Sequence, residues 1–227
     1  MNYKFLLDIF WPKKCLKCGA YGEFVCADCF DEIELFATST CFGCGRISDD
    51  GKVCPNCRKR LNISFDAIFV GTHYLGLPLQ MIESLKYLGY RDLAEIIGEM
   101  MIRRILLSAF DYKKFVVTAA PLHISRKNER GFNQSELIAR YIAKRLGLEY
   151  QDLLIKKIKT ERQVGLTREK RLENVREVFE ARKGVIGKNI IIIDDVVTTG
   201  ATLSECAKVL KAAGAKKVVG IVAARNI

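Results

Sequence analysis

The chain has 227 residues, is 49% hydrophobic and 28% charged, and carries a formal net charge of +11 at pH 7. These proportions are those of a globular protein, the length fits one domain or a domain plus a small module, and no stretch approaches the roughly 20 uninterrupted apolar residues of a membrane span. Residues 1–60 hold nine Lys/Arg and eight Asp/Glu, so the basic excess lies beyond Leu61; it points to an anionic partner, a polyphosphate ligand or a nucleic acid, or else to a solvated basic surface.

Residues 3–11 are apolar but short, contain Asp8, and lack a small-residue cleavage site. They read as an amphipathic turn packed on the protein, not as a signal peptide. A cytoplasmic location with reduced or metal-bound cysteines is therefore expected. Eight of the nine cysteines fall in four Cys-x-x-Cys pairs: Cys15/Cys18, Cys26/Cys29, Cys41/Cys44 and Cys54/Cys57. Two intervening residues let both thiolates of a tight turn face one tetrahedral ion. Four such pairs predict two structural zinc sites with four thiolates each and no open coordination position. Short loops favour pairing consecutive pairs, although an interleaved arrangement uses the same ligands. Phe24, Phe30, Leu35, Phe36 and Phe42 are either the small core of this module or a base-stacking platform.

Beyond residue 61, apolar spacing predicts alternating strands and helices. Residues 66–74 read as a strand and residues 79–88 and 93–110 as helices, with Lys86, Tyr87, Tyr90 and Arg91 taken as surface residues. Residues 115–120 read as a second buried strand. Segment 121–134 follows it and precedes a helix over 135–146, which sets the segment at the carboxyl edge of a sheet. There Arg126 and Arg130 can grip a pyrophosphate, because guanidinium forks match phosphate oxygens. Gly131 permits a sharp turn, and Asn133 and Gln134 offer amide donors; a solvated basic helix start is the alternative. Residues 153–158 read as another strand. Residues 156–171 carry seven Lys/Arg against two Glu, which suggests a basic loop closing over an anionic ligand, or an exposed helix.

Residues 190–202 are the most informative stretch. Four successive isoleucines require a strand covered on both faces. Asp194 and Asp195 follow, then the small-residue loop Thr198, Thr199, Gly200, Ala201 and Thr202, then a helix over 203–213 in which Cys206 is read as a core residue. Backbone N–H groups and threonine hydroxyls at a helix start form a phosphate cradle, and carboxylates at a strand's carboxyl edge can hold sugar hydroxyls or Mg²⁺. A Walker-type site would need a Gly-x-x-x-x-Gly-Lys-Ser/Thr loop, which is missing from the sequence. With a last strand over 217–224, the alternation predicts an α/β fold with a mainly parallel sheet.

The pattern of four hydrophobics, two acids, two hydrophobics and a Thr/Gly-rich loop resembles the ribose-5-phosphate signature of type I phosphoribosyltransferases. Taken with the cysteine pairs, with Pro-Leu-His…Arg-Gly-Phe-Asn-Gln, and with Gln-x-Gly-Leu-Thr-Arg…Arg-x-x-Asn-Val, the chain resembles the ComF family. Members of that family are phosphoribosyltransferase-like proteins associated with competence and natural transformation. The resemblance implies a double zinc ribbon over 1–60 and a type I phosphoribosyltransferase domain over 61–227, a parallel sheet flanked by helices with a small hood. It implies that Asp194 and Asp195 hold the ribose hydroxyls of phosphoribosyl pyrophosphate, with Mg²⁺ bridging ribose and pyrophosphate. Thr198, Thr199, Gly200, Ala201 and Thr202 would take the 5′-phosphate. Leu122, His123, Arg126, Arg130, Asn133 and Gln134 would line the pyrophosphate side, and Thr160, Gln163, Arg168, Arg171 and Asn174 would belong to the flexible loop. The implied activity is Mg²⁺-dependent phosphoribosyl transfer to an unidentified acceptor in DNA uptake, with single-stranded DNA and competence-machinery proteins as partners. A non-catalytic DNA-binding factor and a phosphoribosyl-pyrophosphate sensor are the alternatives. Relatives acting on 6-oxopurines commonly carry an Asp three places after the second acid; Thr198 stands there, which argues against a purine-base acceptor.

Overall fold

The computed structural model describes residues 12–157 and 178–226. Its centre is a four-stranded sheet in the order β1-β6-β5-β2, with β1 Ala67–His73, β2 Phe115–Ala119, β5 Asn189–Val197 and β6 Lys217–Arg225. All three pairings are parallel; Ile193 lies opposite Ala119 on one side and Ile221 on the other. The expected α/β class with a parallel sheet is thus observed.

The four isoleucines show why alternation is missing from the sequence. Ile191 and Ile193 point into one hydrophobic layer, Ile190 and Ile192 into the other, and all four are fully buried. Burying one such side chain contributes about 1.5–3 kcal/mol relative to leaving it in water. The first layer is closed by α3 Gly76–Glu83, α4 Leu93–Leu106 and α6 Gln134–Leu146. Helices α4 and α6 approach closely at Gly98, where a β-carbon would fall 2.5 Å from the ring of Tyr141. The second layer is closed by α7 Ala201–Ala212, in which Cys206 is fully buried among core residues, as expected.

Several elements differ from the sequence expectation. The helix expected over 79–88 begins at Gly76, and its last turn, Ser84–Leu88, is a π-helical turn stopped by Gly89 at φ +71°. The helix expected to reach residue 110 ends at Leu106, and Phe110 turns back to pack 4.9 Å from the ring of Phe69. Segment 121–134 contains a short helix, α5 Ile124–Arg130, which apolar periodicity cannot reveal because none of its residues is buried. The strand expected over 153–158 is β3 Leu154–Lys156, which pairs antiparallel with β4 Phe179–Ala181 outside the main sheet. The strand expected over 66–74 ends at His73. The N-terminal turn over 3–11 lies outside the described residues, as do Thr160, Gln163, Arg168, Arg171 and Asn174. Among the described residues no helix is long and apolar enough to cross a membrane.

The cysteine pairs gather into two clusters that follow chain order. Short helices α1 Ala27–Asp31 and α2 Pro55–Arg60 open directly after Cys26 and Cys54. Residues around the first cluster pack in the α4 layer, with Phe24 stacked 4.5 Å from Tyr90 and Arg103 lying 4.4 Å over Phe30. Residues around the second pack in the α7 layer, where Phe42 meets Phe65 edge-on at 5.8 Å. Phe42 is therefore part of the core, and Phe24, Phe30 and Leu35 pack against it; Tyr90, read as a surface residue, is the stacking partner of Phe24.

Candidate functional site

Strand β5 carries Asp194 and Asp195 within its extended run, two residues before it ends at Val197. Each carboxylate is met by residues from the start of α6. Ser135 Oγ donates to Asp194 Oδ1 at 3.0 Å, and the Asp195 amide donates to the same oxygen at 3.0 Å. Gln134 Nε2 donates to Asp195 Oδ2 at 2.8 Å, and Lys86 Nζ forms an ion pair with that oxygen at 3.1 Å. Arg130 in turn donates to Gln134 Oε1 at 3.0 Å and lies 5.2 Å over the Tyr87 ring. Burial, and then the neighbouring Asp195 charge, push the Asp194 carboxyl up to about 7, against the lowering effect of its hydrogen bonds and of Lys86.

The other wall is the loop from Thr198 to the first turn of α7. Gly200 adopts φ +76° and caps the helix N-terminus, and the Ala201 amide donates to Thr199 Oγ1 at 3.3 Å. A left-handed turn aims successive backbone N–H groups into one concavity, and the helix dipole adds partial positive charge. Together these elements enclose a cavity of about 280 Å³ at the carboxyl edge of the sheet. Asp194, Asp195, Arg126, Arg130, Asn133, Gln134, Leu122 and all of Thr198–Thr202 line it. His123 does not; its Nδ1 accepts from the Ser125 amide at 3.2 Å and caps α5. Asn133 lines the cavity while its amide is engaged in structure, donating to the Ala120 carbonyl at 3.1 Å and accepting from the Ser135 amide.

Sequence reading missed Lys86, Tyr87, Ser135 and Lys156, all of which line the cavity. Lys86 is the correction of most consequence, since it was read as a surface residue and its side chain is 14% exposed. One signal could have found it: it is the only cation in the mostly apolar stretch 81–88, which a glycine ends. Burial, and then the neighbouring Arg126 charge, hold the Lys156 ammonium below its ordinary value.

The cysteine clusters are the second chemical feature. Cys15, Cys18, Cys26 and Cys29 form one and Cys41, Cys44, Cys54 and Cys57 the other, with all four sulfurs in each within 4.8 Å of one another. Consecutive pairing is the arrangement observed. A tetrahedral zinc with bonds of about 2.3 Å sets its sulfurs about 3.8 Å apart; Cys18 and Cys26 are separated by 3.7 Å, Cys44 and Cys54 by 4.0 Å. The donors fit two zinc ions.

Residues 133–226 match the family model of the phosphoribosyl transferase domain, and residues 6–58 match that of the double zinc ribbon domain. The chain is 26% identical to competence protein F of Haemophilus influenzae, covering 86% of this chain and 87% of that one. It is 30% identical to competence protein ComFC of Bacillus subtilis, covering 83% and 78% respectively. It is also 30% identical to the DNA utilization protein YhgH of Salmonella typhimurium, spanning 62% of this chain and 64% of that relative.

Proposed function

The chain belongs to the ComF family of competence proteins, with a phosphoribosyltransferase domain behind an N-terminal double zinc ribbon, and from that premise we propose that it binds phosphoribosyl pyrophosphate in the cavity at the end of β5 and transfers its phosphoribosyl group. One observation carries this reading: two adjacent carboxylates, a glycine-turned helix start and several cations share one concave surface of about 280 Å³. Each part matches one part of the ligand. The loop from Thr198 to Thr202 supplies amides and hydroxyls to the 5′-phosphate. Asp194 and Asp195 accept hydrogen bonds from the ribose hydroxyls. Arg126, Arg130 and Lys86 face the pyrophosphate.

The carboxylates also suit Mg²⁺. The second oxygen of each has no hydrogen-bond partner among the described residues, and hard oxygen donors are what this ion takes. When bound, Mg²⁺ would neutralise pyrophosphate charge. The protein's own contribution is positional and electrostatic. The phosphate loop fixes one end of the ribose, and the carboxylates oppose the positive charge that develops at the anomeric carbon as the C–O bond to pyrophosphate lengthens. The guanidinium and ammonium groups stabilise the departing anion. Calorimetric titration with phosphoribosyl pyrophosphate and Mg²⁺ tests the reading: wild-type protein should give a saturable heat that Asp195→Ala abolishes. Equal heats from both would overturn the site. Pyrophosphate release across candidate acceptors then separates a transferase from a sensor.

A second reading, contact with single-stranded DNA, is favoured by a different surface. At the amino ends of the strands, on the opposite edge of the sheet, a groove of about 740 Å³ is lined by Lys52, Arg58, Lys114, Lys216 and Lys217 against Asp66 and Asp111. The Asp66 charge is already met by Lys211 at 2.7 Å and Arg58 at 3.4 Å. Val53, Pro55 and Phe115 form the apolar part of the lining. Cations flanking an apolar floor suit phosphates and bases of a single strand, and one relative bears the name DNA utilization protein. Fluorescence anisotropy with an oligothymidylate should show binding that weakens steeply with salt and is reduced by Lys114→Glu with Lys216→Glu. Unchanged affinity in that double variant would remove the groove from consideration.

A further inference from the structure

Phe42 follows Cys41 in the second cysteine cluster, yet its ring serves the phosphate loop as well as the cluster. It is 6% exposed. A β-carbon built on Gly200 would fall 2.9 Å from Phe42 Cε1 and 3.1 Å from Cζ, so the loop's turning residue rests against this ring. Arg225, at the end of β6, lies 4.5 Å from the same ring centroid, and its Nη2 donates to the Phe42 carbonyl at 3.3 Å. A second tether comes from the chain leaving the cluster. Ser204, in the first turn of α7, donates through Oγ to the Asn62 carbonyl at 2.9 Å and accepts from the Ser64 amide at 2.8 Å. Loop and helix start are therefore held from two places, by the second cluster and by the segment that leaves it. The first cluster packs in the other hydrophobic layer, against α4.

The cluster also has little room to change without moving Phe42. Gly43, its neighbour, would place a β-carbon 2.7 Å from Cys57 Cβ, and the Cys54 amide donates to Cys41 Sγ at 3.4 Å. Four thiolates on one ion fix this knuckle; without the ion, a segment this small cannot hold its own shape.

We propose that the second zinc ribbon is the positioning element of the phosphate loop, with Phe42 as its contact, so that zinc at Cys41, Cys44, Cys54 and Cys57 and a phosphate ester at Thr198–Thr202 stabilise one another. The inference rests on reading the cavity as a phosphoribosyl-pyrophosphate site. Because linkage is reciprocal, whatever zinc contributes to ligand affinity the ligand returns to zinc retention. Coupling of this kind is specific to one ribbon, whereas general stabilisation by a ligand would protect both.

The test is zinc release from the full chain to a chromogenic chelator, with and without phosphoribosyl pyrophosphate and Mg²⁺, alongside calorimetry of the same ligand. Two zinc ions should leave in two phases. The phase removed by Cys44→Ser should slow by about tenfold with ligand, an ordinary size for coupling between sites, while the phase removed by Cys18→Ser keeps its rate. Phe42→Leu should retain two zinc ions and its thermal midpoint within a few degrees, yet lose both the protection and about tenfold in ligand affinity; Phe30→Leu in the first ribbon should alter neither. Ligand that binds with normal heat but slows both phases equally, or neither, overturns the coupling and leaves the pocket standing. Ligand that gives no heat overturns the pocket reading, and the coupling with it.

Discussion

Asp194 holds a position that a folding chain alone would not favour. Its carboxyl is buried beside a second carboxylate and titrates well above its ordinary value of 3.8. The folded state therefore holds this proton more firmly than the unfolded chain does. Its contribution to stability is complete in acid, below the ordinary value, and is lost as pH rises toward and through neutrality. Asp194→Asn keeps the acceptor for Ser135 and removes the charge. It should raise stability at pH 8 by about 1 kcal/mol, roughly 2–4 °C in Tm, and leave stability near pH 4 unchanged, as thermal scans across that range will show. An equal shift at both pH values would remove burial of charge as the cause. Lys86 answers the same cost from the other side. Its ion pair with Asp195 has side-chain exposures of 14% and 7%, so removing one partner strands a buried charge, at a cost of about 3–5 kcal/mol. Lys86→Met should be strongly destabilised in urea, and Lys86→Met with Asp195→Asn should recover most of the loss. Simple additivity of the two variants would show that the pair is uncoupled.

At the scale of the element, the loop proposed to hold the phosphate depends on one backbone conformation. Gly200 at φ +76° turns the chain from β5 into α7 while its α-carbon faces the Phe42 ring. Any side chain meets two penalties there. The left-handed conformation costs an L-residue about 1–2 kcal/mol, and the β-carbon collides with an aromatic ring that the core holds in place. Gly200→Ala should weaken binding of ribose 5-phosphate by about tenfold or more, measured by calorimetry, because the loop must shift to admit the methyl group; unchanged affinity would show that the loop does not hold the phosphate. The same loop shows why its chemistry could be read locally. Strand, acids, turn residue and helix start are contiguous, so the sequence order is already the spatial order. Lys86 is the contrary case. It reaches Asp195 from the π-helical turn Ser84–Leu88, and no local pattern says which face of the sheet that turn overlies.

For the whole molecule, the two ribbons join opposite hydrophobic layers, so metal should support both sides of the sheet. Metal analysis should give two zinc ions per chain, and stripping them should lower the thermal midpoint by about 10 °C or more, since removing a structural zinc forfeits folding free energy directly. One zinc ion per chain would sink the two-site reading. The sequence by itself determined the local chemistry: four thiolate pairs at chelating spacing, a doubly buried strand, and a small-residue loop and helix start joined to it. Those features depend on neighbours within a few residues, where chain connectivity fixes the geometry. Tertiary structure decided what connectivity cannot: that Lys86 and Gln134 share Asp195, and that Phe42 from a zinc ribbon meets Gly200. Each of these is a contact between segments far apart in the chain, set by the packing of two layers on one parallel sheet.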